Sequence, residues 1–364
     1  MKKWVLLAII LPAYAIGAFS QTDVNKPVQT EGTKPVGISG QWFLANQTKY
    51  EDNQLTDNLF TLKRGYVTFK KDFNTIFSVR YTQDITLDKE GSDAGNIEMR
   101  LKYLYLKVNL KDLSIFQKSY LEIGMVHRPW LDFEQHVNDY RVQGKMFLEK
   151  GNLLNSADFG LTFVTLLGGK IDESYRNSVS TSYPGKYGSF SVAVLNGGGY
   201  HAIEQTNNKT VEARLSLRPF PSVVPGLQFS LHGIYGKGNS EFNPDFNLRH
   251  LSLSYESARA IIVAQAFRAL GNSYGSFLDI ENKPYETTGA SLFGELFLVK
   301  KKLSVIGSYD ISKLRENQDE FDTRMIGGVC YHFLNNQKLL FDVDHIISPT
   351  GNSTVMEIAL EIRF

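Results

Sequence analysis

Apolar and polar side chains alternate along most of this chain of 364 residues, in segments of about ten residues separated by turn residues. One clear example is IEMRLKYLY at residues 97–105, and others lie near residues 77–84, 211–218, 303–311 and 338–344. A period of two is that of a β-strand whose two faces meet different surroundings. These segments are longer than the five or six residues usual in soluble sheets. The pattern therefore predicts strands long enough to cross a membrane.

About sixteen such segments predict an all-β fold, a transmembrane antiparallel β-barrel. Only helices and closed barrels satisfy every backbone polar group in lipid. No segment beyond residue 20 offers the roughly twenty apolar residues of a membrane helix. The predicted strands are 36–46, 59–70, 73–85, 96–108, 117–126, 158–169, 187–196, 209–218, 226–236, 247–256, 259–269, 286–299, 302–312, 322–333, 337–347 and 354–364.

The connections follow the alternation of long loops and short turns that such a barrel requires. Residues 47–58, between the first two predicted strands, are expected to form a long loop. The connection at residues 170–186 departs from the rule, because it is long where a short turn is expected. Either the strands beside it are longer than predicted or a further pair of strands lies within it.

The beginning of the chain has the pattern of an export signal. Lys2 and Lys3 precede an apolar stretch at residues 4–18, and Ala18-Phe19-Ser20 places small residues at the −3 and −1 positions. We therefore expect residues 1–20 to be a signal peptide that is cleaved after Ser20. Cleavage would leave 344 residues and, without the two lysines, a formal charge of −1.

The rest of the chain is expected to divide into two parts. Residues 21–35 are polar and predict a flexible periplasmic lead-in, and residues 36–364 form the barrel. The last segment alternates strictly and ends on Phe364, the aromatic ending typical of barrels that the outer-membrane assembly machinery recognises. These features predict the outer membrane of a Gram-negative bacterium.

Composition excludes several other classes of protein. A formal charge of +1 gives no basic surplus for binding nucleic acid. The single cysteine, Cys330, cannot form a disulfide within the chain, and no cysteine cluster is present for zinc or iron–sulfur. His127 and His136 lie near each other but lack regular metal-ligand spacing. We expect neither a metal nor a cofactor.

Four short motifs resemble the phosphate-selective porin O and P family: LKRGYVTF at 62–69, IGMVHRPW at 123–130, ADFG at 157–160 and VLNG at 194–197. This resemblance implies a homotrimer of sixteen-stranded barrels that conducts anions such as phosphate past lumenal arginine and lysine. It also implies that the longest connection, residues 127–157, folds inward as a constriction loop.

Candidate pore residues are basic side chains on the predicted lumenal face or on that loop. Arginine and lysine rings favour anions, and the planar arginine fork suits phosphate. Strand parity selects Arg80, Arg100, Lys102, Arg214 and Arg218. The family pattern adds Arg64, and the constriction loop adds Arg128, Arg141 and Lys145.

Lumenal acids oppose this prediction, because they could pair with the bases and leave them only a structural role. The acids that parity places on the same face are Glu98, Glu122, Glu212, Asp342, Asp344, Glu357 and Glu361. Whether these acids cancel the bases depends on their positions in three dimensions.

The sequence thus predicts a passive channel for small hydrophilic solutes, with anion or phosphate preference as the finer hypothesis. The alternatives are a non-selective porin, a barrel enzyme and a structural outer-membrane protein. Ser230 with His232, and Ser252 with His250, share strand faces as a hydrolase would need. Ser273 lies in a Gly-x-Ser-x-Gly match, but between two strands rather than at the strand-to-helix turn of a nucleophile elbow. We therefore expect no catalytic activity.

Overall fold

The computed structural model describes residues 35–364 apart from 89–91, 93 and 335. The predicted signal peptide and residues 21–34 of the lead-in lie outside the described residues. The described chain from Pro35 to Phe364 forms one compact unit.

Sixteen antiparallel strands form a closed barrel in which each strand pairs with its sequence neighbours. Closure is completed between the last strand and the first, with Gln41 opposite Arg363. The prediction of a sixteen-stranded antiparallel barrel is confirmed. The strands are β1 Gly37–Glu51, β2 Gln54–Asp72, β3 Phe77–Leu87, β4 Ile97–Asn109, β5 Phe116–His127, β6 Ala157–Leu167, β7 Gly188–Leu195, β8 Thr210–Leu217, β9 Leu227–Lys237, β10 Asp245–Glu256, β11 Ala260–Leu270, β12 Glu286–Val299, β13 Leu303–Lys313, β14 Asp322–Phe333, β15 Gln337–Ile347 and β16 Ser353–Arg363.

The first hairpin is longer than the sequence predicted. Strands β1 and β2 extend to a two-residue turn at Asp52 and Asn53, whose φ values are 45° and 66°. Asp and Asn tolerate this left-handed conformation, which suits the tight turn of a β-hairpin. The expectation of a long loop at residues 47–58 was therefore wrong.

The connection at residues 170–186 contains a short helix, α3, at Glu173–Ser178. Asp172 caps this helix by accepting a hydrogen bond from the Ser174 backbone N–H at 2.7 Å. A single bridge pairs Lys170 with Gly185 and closes the connection at its base. Both explanations offered by the sequence, longer strands or a missing pair, were wrong.

Two β-bulges shift the inward-facing residues on the wall formed by β2–β4. A bulge lies where Phe43 pairs with Arg64 but the next residue, Leu44, pairs with Leu62. A second lies where Thr82 pairs with Tyr103 but Gln83 pairs with Leu101. Each bulge adds one residue and reverses the faces of the residues that follow it.

The faces predicted for the end of β4 were accordingly wrong. Tyr103 and Tyr105 turn inward and are buried, whereas Leu104 and Leu106 face outward.

The connection at residues 128–156 folds into the barrel, where it forms α1, Pro129–Val137, and α2, Phe147–Lys150. Its apolar side chains pack against inward-facing residues of the barrel wall in one core cluster. Trp130, Leu131, Phe133 and Leu148 are each at most 1% exposed. The interior is therefore occupied on one side by a packed core. No helix in the described ranges is long and apolar enough to cross a bilayer.

Two opposed glycines allow the strands to approach closely where this connection leaves and rejoins the wall. Gly124 of β5 pairs with Gly160 of β6. Gly124 has a φ of +128°, and a Cβ there would lie 2.3 Å from the Leu104 carbonyl oxygen. A Cβ on Gly160 would lie 2.1 Å from the Val194 carbonyl oxygen. Both positions exclude any side chain, and both lie within the family-like motifs.

We predict that Gly124→Ala destabilises the folded barrel by about 1–3 kcal/mol, because alanine strains this backbone conformation and its methyl group meets a carbonyl. Urea unfolding in detergent would measure the loss. Gly327→Ala on β14 is the matched control, since a Cβ there meets nothing within 4 Å. Equal stability of the two variants would contradict the packing argument.

Candidate pore constriction

The inward-folded loop, defined as residues 128–156, is held at its start by a buried ion pair. Arg128 Nε donates to Glu212 Oε2 at 2.7 Å, and both side chains are fully buried. The Trp130 backbone N–H donates to the other carboxylate oxygen of Glu212 at 3.2 Å. Arg214 Nε donates to the Pro129 carbonyl oxygen at 2.9 Å. Arg128 and Arg214 are each 0% exposed, which places them out of reach of a solute.

Helix α1 is fixed against β10 and β11 by aromatic and polar contacts. The Trp130 ring lies 4.2 Å from the His250 ring, centroid to centroid. Glu134 accepts hydrogen bonds from Trp130 Nε1 at 2.9 Å and from Gln265 Nε2 at 2.7 Å. Burial raises the pKa of the Glu134 carboxyl to about 7, although these two hydrogen bonds favour its ionised form.

The far part of the loop is tied to β12–β16 and β2. Tyr140 donates to Glu295 at 2.5 Å, and Lys150 pairs with Asp310 at 2.7 Å. Lys63 donates to the Val142 carbonyl oxygen at 2.6 Å and pairs with Glu357. The loop therefore spans the lumen from its root at β5 to the opposite wall.

The connection at residues 170–186 meets the loop from the other end of the barrel. Tyr183 donates to the Asp132 carboxylate, and its ring lies 5.2 Å from that of Phe133. Arg218, 2% exposed, donates to the Gly185 carbonyl oxygen at 3.2 Å. Arg218 therefore holds this connection in place and lies outside the solute-accessible wall.

Most of the acids that opposed the anion hypothesis are buried. Six of the seven are at most 8% exposed, and only Glu98 stays partly exposed, beside Arg100 at 3.6 Å. The buried six are Glu122, Glu212, Asp342, Asp344, Glu357 and Glu361.

The basic residues on β2–β4 and on the facing part of the loop form a cluster, which we call the basic face: Arg64, Lys70, Arg80, Arg100, Lys102, Arg141 and Lys145. Lys102 Nζ donates to the Tyr66 hydroxyl at 3.0 Å, and Arg141 pairs with Glu149 at 2.5 Å. Arg100 pairs with Asp84 at 2.9 Å. Within the described residues, Arg64, Lys102 and Lys145 form no ion pair.

The cations of the basic face shift the pKa values of two loop residues, Glu149 and Lys145. Burial would raise the pKa of the Glu149 carboxyl, but Arg141, Arg64 and Lys102 lower it to about 2. Partial removal from water lowers the pKa of Lys145, and the charges of Arg64, Arg141 and Arg100 lower it further against the opposing effect of Glu149. The Glu149 carboxylate is therefore a single negative charge among several positive ones.

A cavity of about 410 Å³ lies between the inward-folded loop and strands β2–β4. It reaches the end of the barrel at which β1 begins and β16 ends. Two acids, Asp132 and Asp139, line it, and His127 contributes its ring, which Arg80 contacts at 3.1 Å. Five basic side chains outnumber those acids in the lining: Lys70, Arg80, Lys102, Arg141 and Arg363.

The strict alternation assumed from the sequence did not place several residues of this region in the lumen. Lys63 and Arg64 both turn inward because of the first bulge, and the second bulge turns Tyr103 inward beside Lys102. A signal was present in the apolar residues, which fall at 97, 99 and 101 and then at 104 and 106. Such a change of phase within one strand indicates a bulge.

The serine–histidine pairs considered as enzyme candidates are not joined to each other, and three of their four members bond to other residues. Ser230 bonds to Ser216 at 2.6 Å, and His232 bonds to Glu212 at 3.1 Å. His250 bonds to Gln265 at 3.1 Å. Across the described residues, no hydrogen bond joins Ser230 to His232 or Ser252 to His250.

The geometry defines a closed sixteen-stranded barrel narrowed by the inward-folded loop. No protein-family model and no curated protein matches the sequence. The fold is similar to that of an anion-selective porin from Comamonas acidovorans, with a TM-score of 0.59 and 8% identity over 91% of this chain and 100% of that chain.

Two further solved structures share the fold. The outer membrane channel DcaP of Acinetobacter baumannii gives a TM-score of 0.58 at 11% identity, over 90% of this chain and 97% of that one. The trimer form of OmpT, an outer membrane protein of Vibrio cholerae, gives 0.56 at 13% identity, over 90% and 100%. At these identities the likeness shows that the chain has the porin fold.

We predict that packing of the loop weakens as pH rises from about 4.5 to about 7. The pKa of the Glu134 carboxyl is near 4.5 in an unfolded chain but near 7 when buried. Between these two values the unfolded state has already lost its proton, so a rise in pH stabilises the unfolded state relative to the folded state. Hydrogen exchange of residues 129–137, corrected for intrinsic rates, should be faster at pH 8 than at pH 5.

The Glu134→Gln variant should lose this pH dependence, because it has no carboxyl to ionise. Glu173→Gln, which changes an exposed carboxyl on α3, is the matched control and should keep the dependence. Equal corrected exchange of wild-type loop peptides at both pH values would contradict the assignment.

Proposed function

We propose that this chain is an outer-membrane porin that allows passive diffusion of small hydrophilic solutes and prefers anions. The path runs between the inward-folded loop and strands β2–β4, along the basic face. The protein catalyses no reaction and needs no cofactor; its work is done by the shape and charge of the lumen.

Segregation of charge is the single observation that supports anion preference. Six of the acids predicted for the lumen are buried, and several of them are held in ion pairs, as Glu212 is with Arg128. Arg64 and Lys145 form no ion pair within the described residues, and the five bases of the cavity lining outnumber Asp132 and Asp139. A fixed positive charge at a narrow point raises the local concentration of anions. The nearly neutral net charge of the chain therefore does not cancel the preference.

Phosphate is the anion we propose, in line with the resemblance to the phosphate-selective porin O and P family. Arginine binds phosphate through paired, charge-assisted hydrogen bonds, and Arg80 and Arg141 both line the 410 Å³ cavity. A non-selective porin is the second candidate, because Asp132 and Asp139 line the same cavity.

The remaining steps of the proposal concern export and assembly. Residues 1–20 would direct export and be removed after Ser20, and Phe364 would present the last strand to the barrel assembly machinery. Phe364 ends the strand that closes the barrel, exchanging backbone hydrogen bonds with Gly40 at 2.9 and 3.1 Å. We propose a homotrimer, as the resemblance implies and as OmpT of Vibrio cholerae forms.

We predict a reversal potential that favours chloride when single channels are recorded under a KCl gradient. Two charges 4 Å apart attract by about 1 kcal/mol even in water, so Arg64→Ala and Lys145→Ala should each lower the chloride preference roughly threefold to fivefold. Lys111→Ala, which removes an exposed charge from a turn outside the lumen, is the control. A reversal potential near zero for the wild type would leave the non-selective porin.

We also predict that phosphate, added during the same recordings, blocks the current and that Arg80→Lys weakens the block. This variant keeps the positive charge but removes the planar fork, so it separates phosphate recognition from simple attraction. Undiminished block in Arg80→Lys and Arg80→Ala would exclude Arg80 from the phosphate site. Folded protein without any conductance would refute the channel itself.

A further inference from the structure

Two arginines face outward, directly opposite each other, on the wall that should meet lipid. Arg249 of β10 and Arg268 of β11 are paired in register, and both are exposed. Both lie near the end of the barrel that carries the 271–285 connection, opposite the chain termini. Their inward-facing neighbours, such as His250 and Phe267, are buried.

This arrangement places like charges where a sheet disfavours them, since like charges directly opposite on neighbouring strands repel. Arg268 has one partner, Glu286, at 2.6 Å. Among the residues that the structure describes, none forms an ion pair or a side-chain hydrogen bond with Arg249. The pair therefore has the capacity to bind a further anion.

A groove in the outer wall begins at these arginines and continues toward the middle of the barrel. It has a volume of about 780 Å³ and is lined by small residues of the strands on both sides of β10: Ala213 of β8, Gly233 of β9, Ala266 of β11 and Ala290 of β12. Larger side chains flank it, among them Leu231, Leu251 and Ile311.

A second hollow of about 400 Å³ continues the same surface. Leu251, Ala266 and Ala290 line both spaces. Phe229, Leu253 and Leu292 add to the apolar lining of the second. Together the two hollows form one apolar channel along the outer wall, with the arginines at one end.

We propose that this groove binds a phosphate-bearing membrane lipid, with its phosphate between Arg249 and Arg268 and its acyl chains along the groove. The proposal requires the barrel to lie in a membrane, as proposed above, but it does not depend on solute selectivity. Charge complementarity selects the headgroup, because two guanidinium groups match the oxygens of one phosphate. The apolar lining selects chains rather than free phosphate.

The position of the arginines supports a lipid rather than a second protein chain. A charged pair within an apolar band is costly in a dry protein interface unless it is matched, whereas at the headgroup level the lipid supplies the phosphate. Arg268 pairs with Thr288 across the sheet, and Thr288 pairs in turn with Lys313. Lys313 therefore adds positive charge at the same level of the barrel wall.

Native mass spectrometry of the full, detergent-purified protein provides the test, with phosphatidylglycerol and phosphatidylcholine of identical chains as probes. We expect one phosphatidylglycerol to stay bound per chain and at least fivefold less retention in Arg249→Gln with Arg268→Gln. Ala266→Leu with Ala290→Leu, which fills the groove without adding charge, should reduce retention to a similar degree. Excess inorganic phosphate should not displace the lipid.

Arg259→Gln is the matched control, because Arg259 is exposed at the opposite end of the same β10–β11 hairpin. It should retain lipid as the wild type does. Equal retention by all variants, or displacement by free phosphate, would overturn the proposal. So would a change of oligomer size in the groove-filling variant without loss of lipid, since that result would assign the groove to a second copy. Channel conductance of the same preparations reports separately on the proposed function.

Discussion

The buried pair between Arg128 and Glu212 is the interaction on which the interior of this barrel depends. Glu212 receives hydrogen bonds from Arg128, from the Trp130 backbone and from His232, and its side chain is fully buried. Removing one partner of such a pair typically costs about 3–5 kcal/mol. The pair therefore fixes the point at which the chain leaves the wall, and with it the direction in which α1 enters the lumen.

Packing of the loop then decides which charges a solute can meet. The loop covers the wall of β8–β16 with an apolar core, and its polar groups occupy the acids that lie beneath it, as Lys150 does with Asp310. The wall of β2–β4 keeps its bases along the cavity, where Lys70 and Arg80 stay partly accessible and Lys102 is 3% exposed. A chain with balanced net charge can in this way present an unbalanced cavity lining, because most of its lumenal acids are buried while five bases and two acids line the cavity.

The strands could be predicted from sequence because the two faces of a barrel wall meet different surroundings and so favour a period of two, and sixteen predicted segments match sixteen observed strands. The pore could not be predicted equally well. Parity assigns a face to a residue but not its burial, so Arg214 and Arg218 counted the same as Arg80, and a place on the loop likewise did not show that Arg128 is buried. Only tertiary packing separates the arginines that hold the loop from those that line the cavity.

Bulges explain the remaining errors, and they also show where sequence reading can improve. A bulge changes the phase of the apolar residues, as between Leu101 and Leu104, while the polar residues alone give no sign of it because Lys102 and Tyr103 both suit a lumen. The outward-facing apolar residues are thus the better guide to register, since few polar residues interrupt them. Where an exception does occur on that face, as at Arg249 and Arg268, register cannot explain it, because both strands keep an unbroken alternation. We propose a phosphate-bearing lipid as the partner of Arg249, which forms no ion pair within the described residues, whereas Arg268 pairs with Glu286.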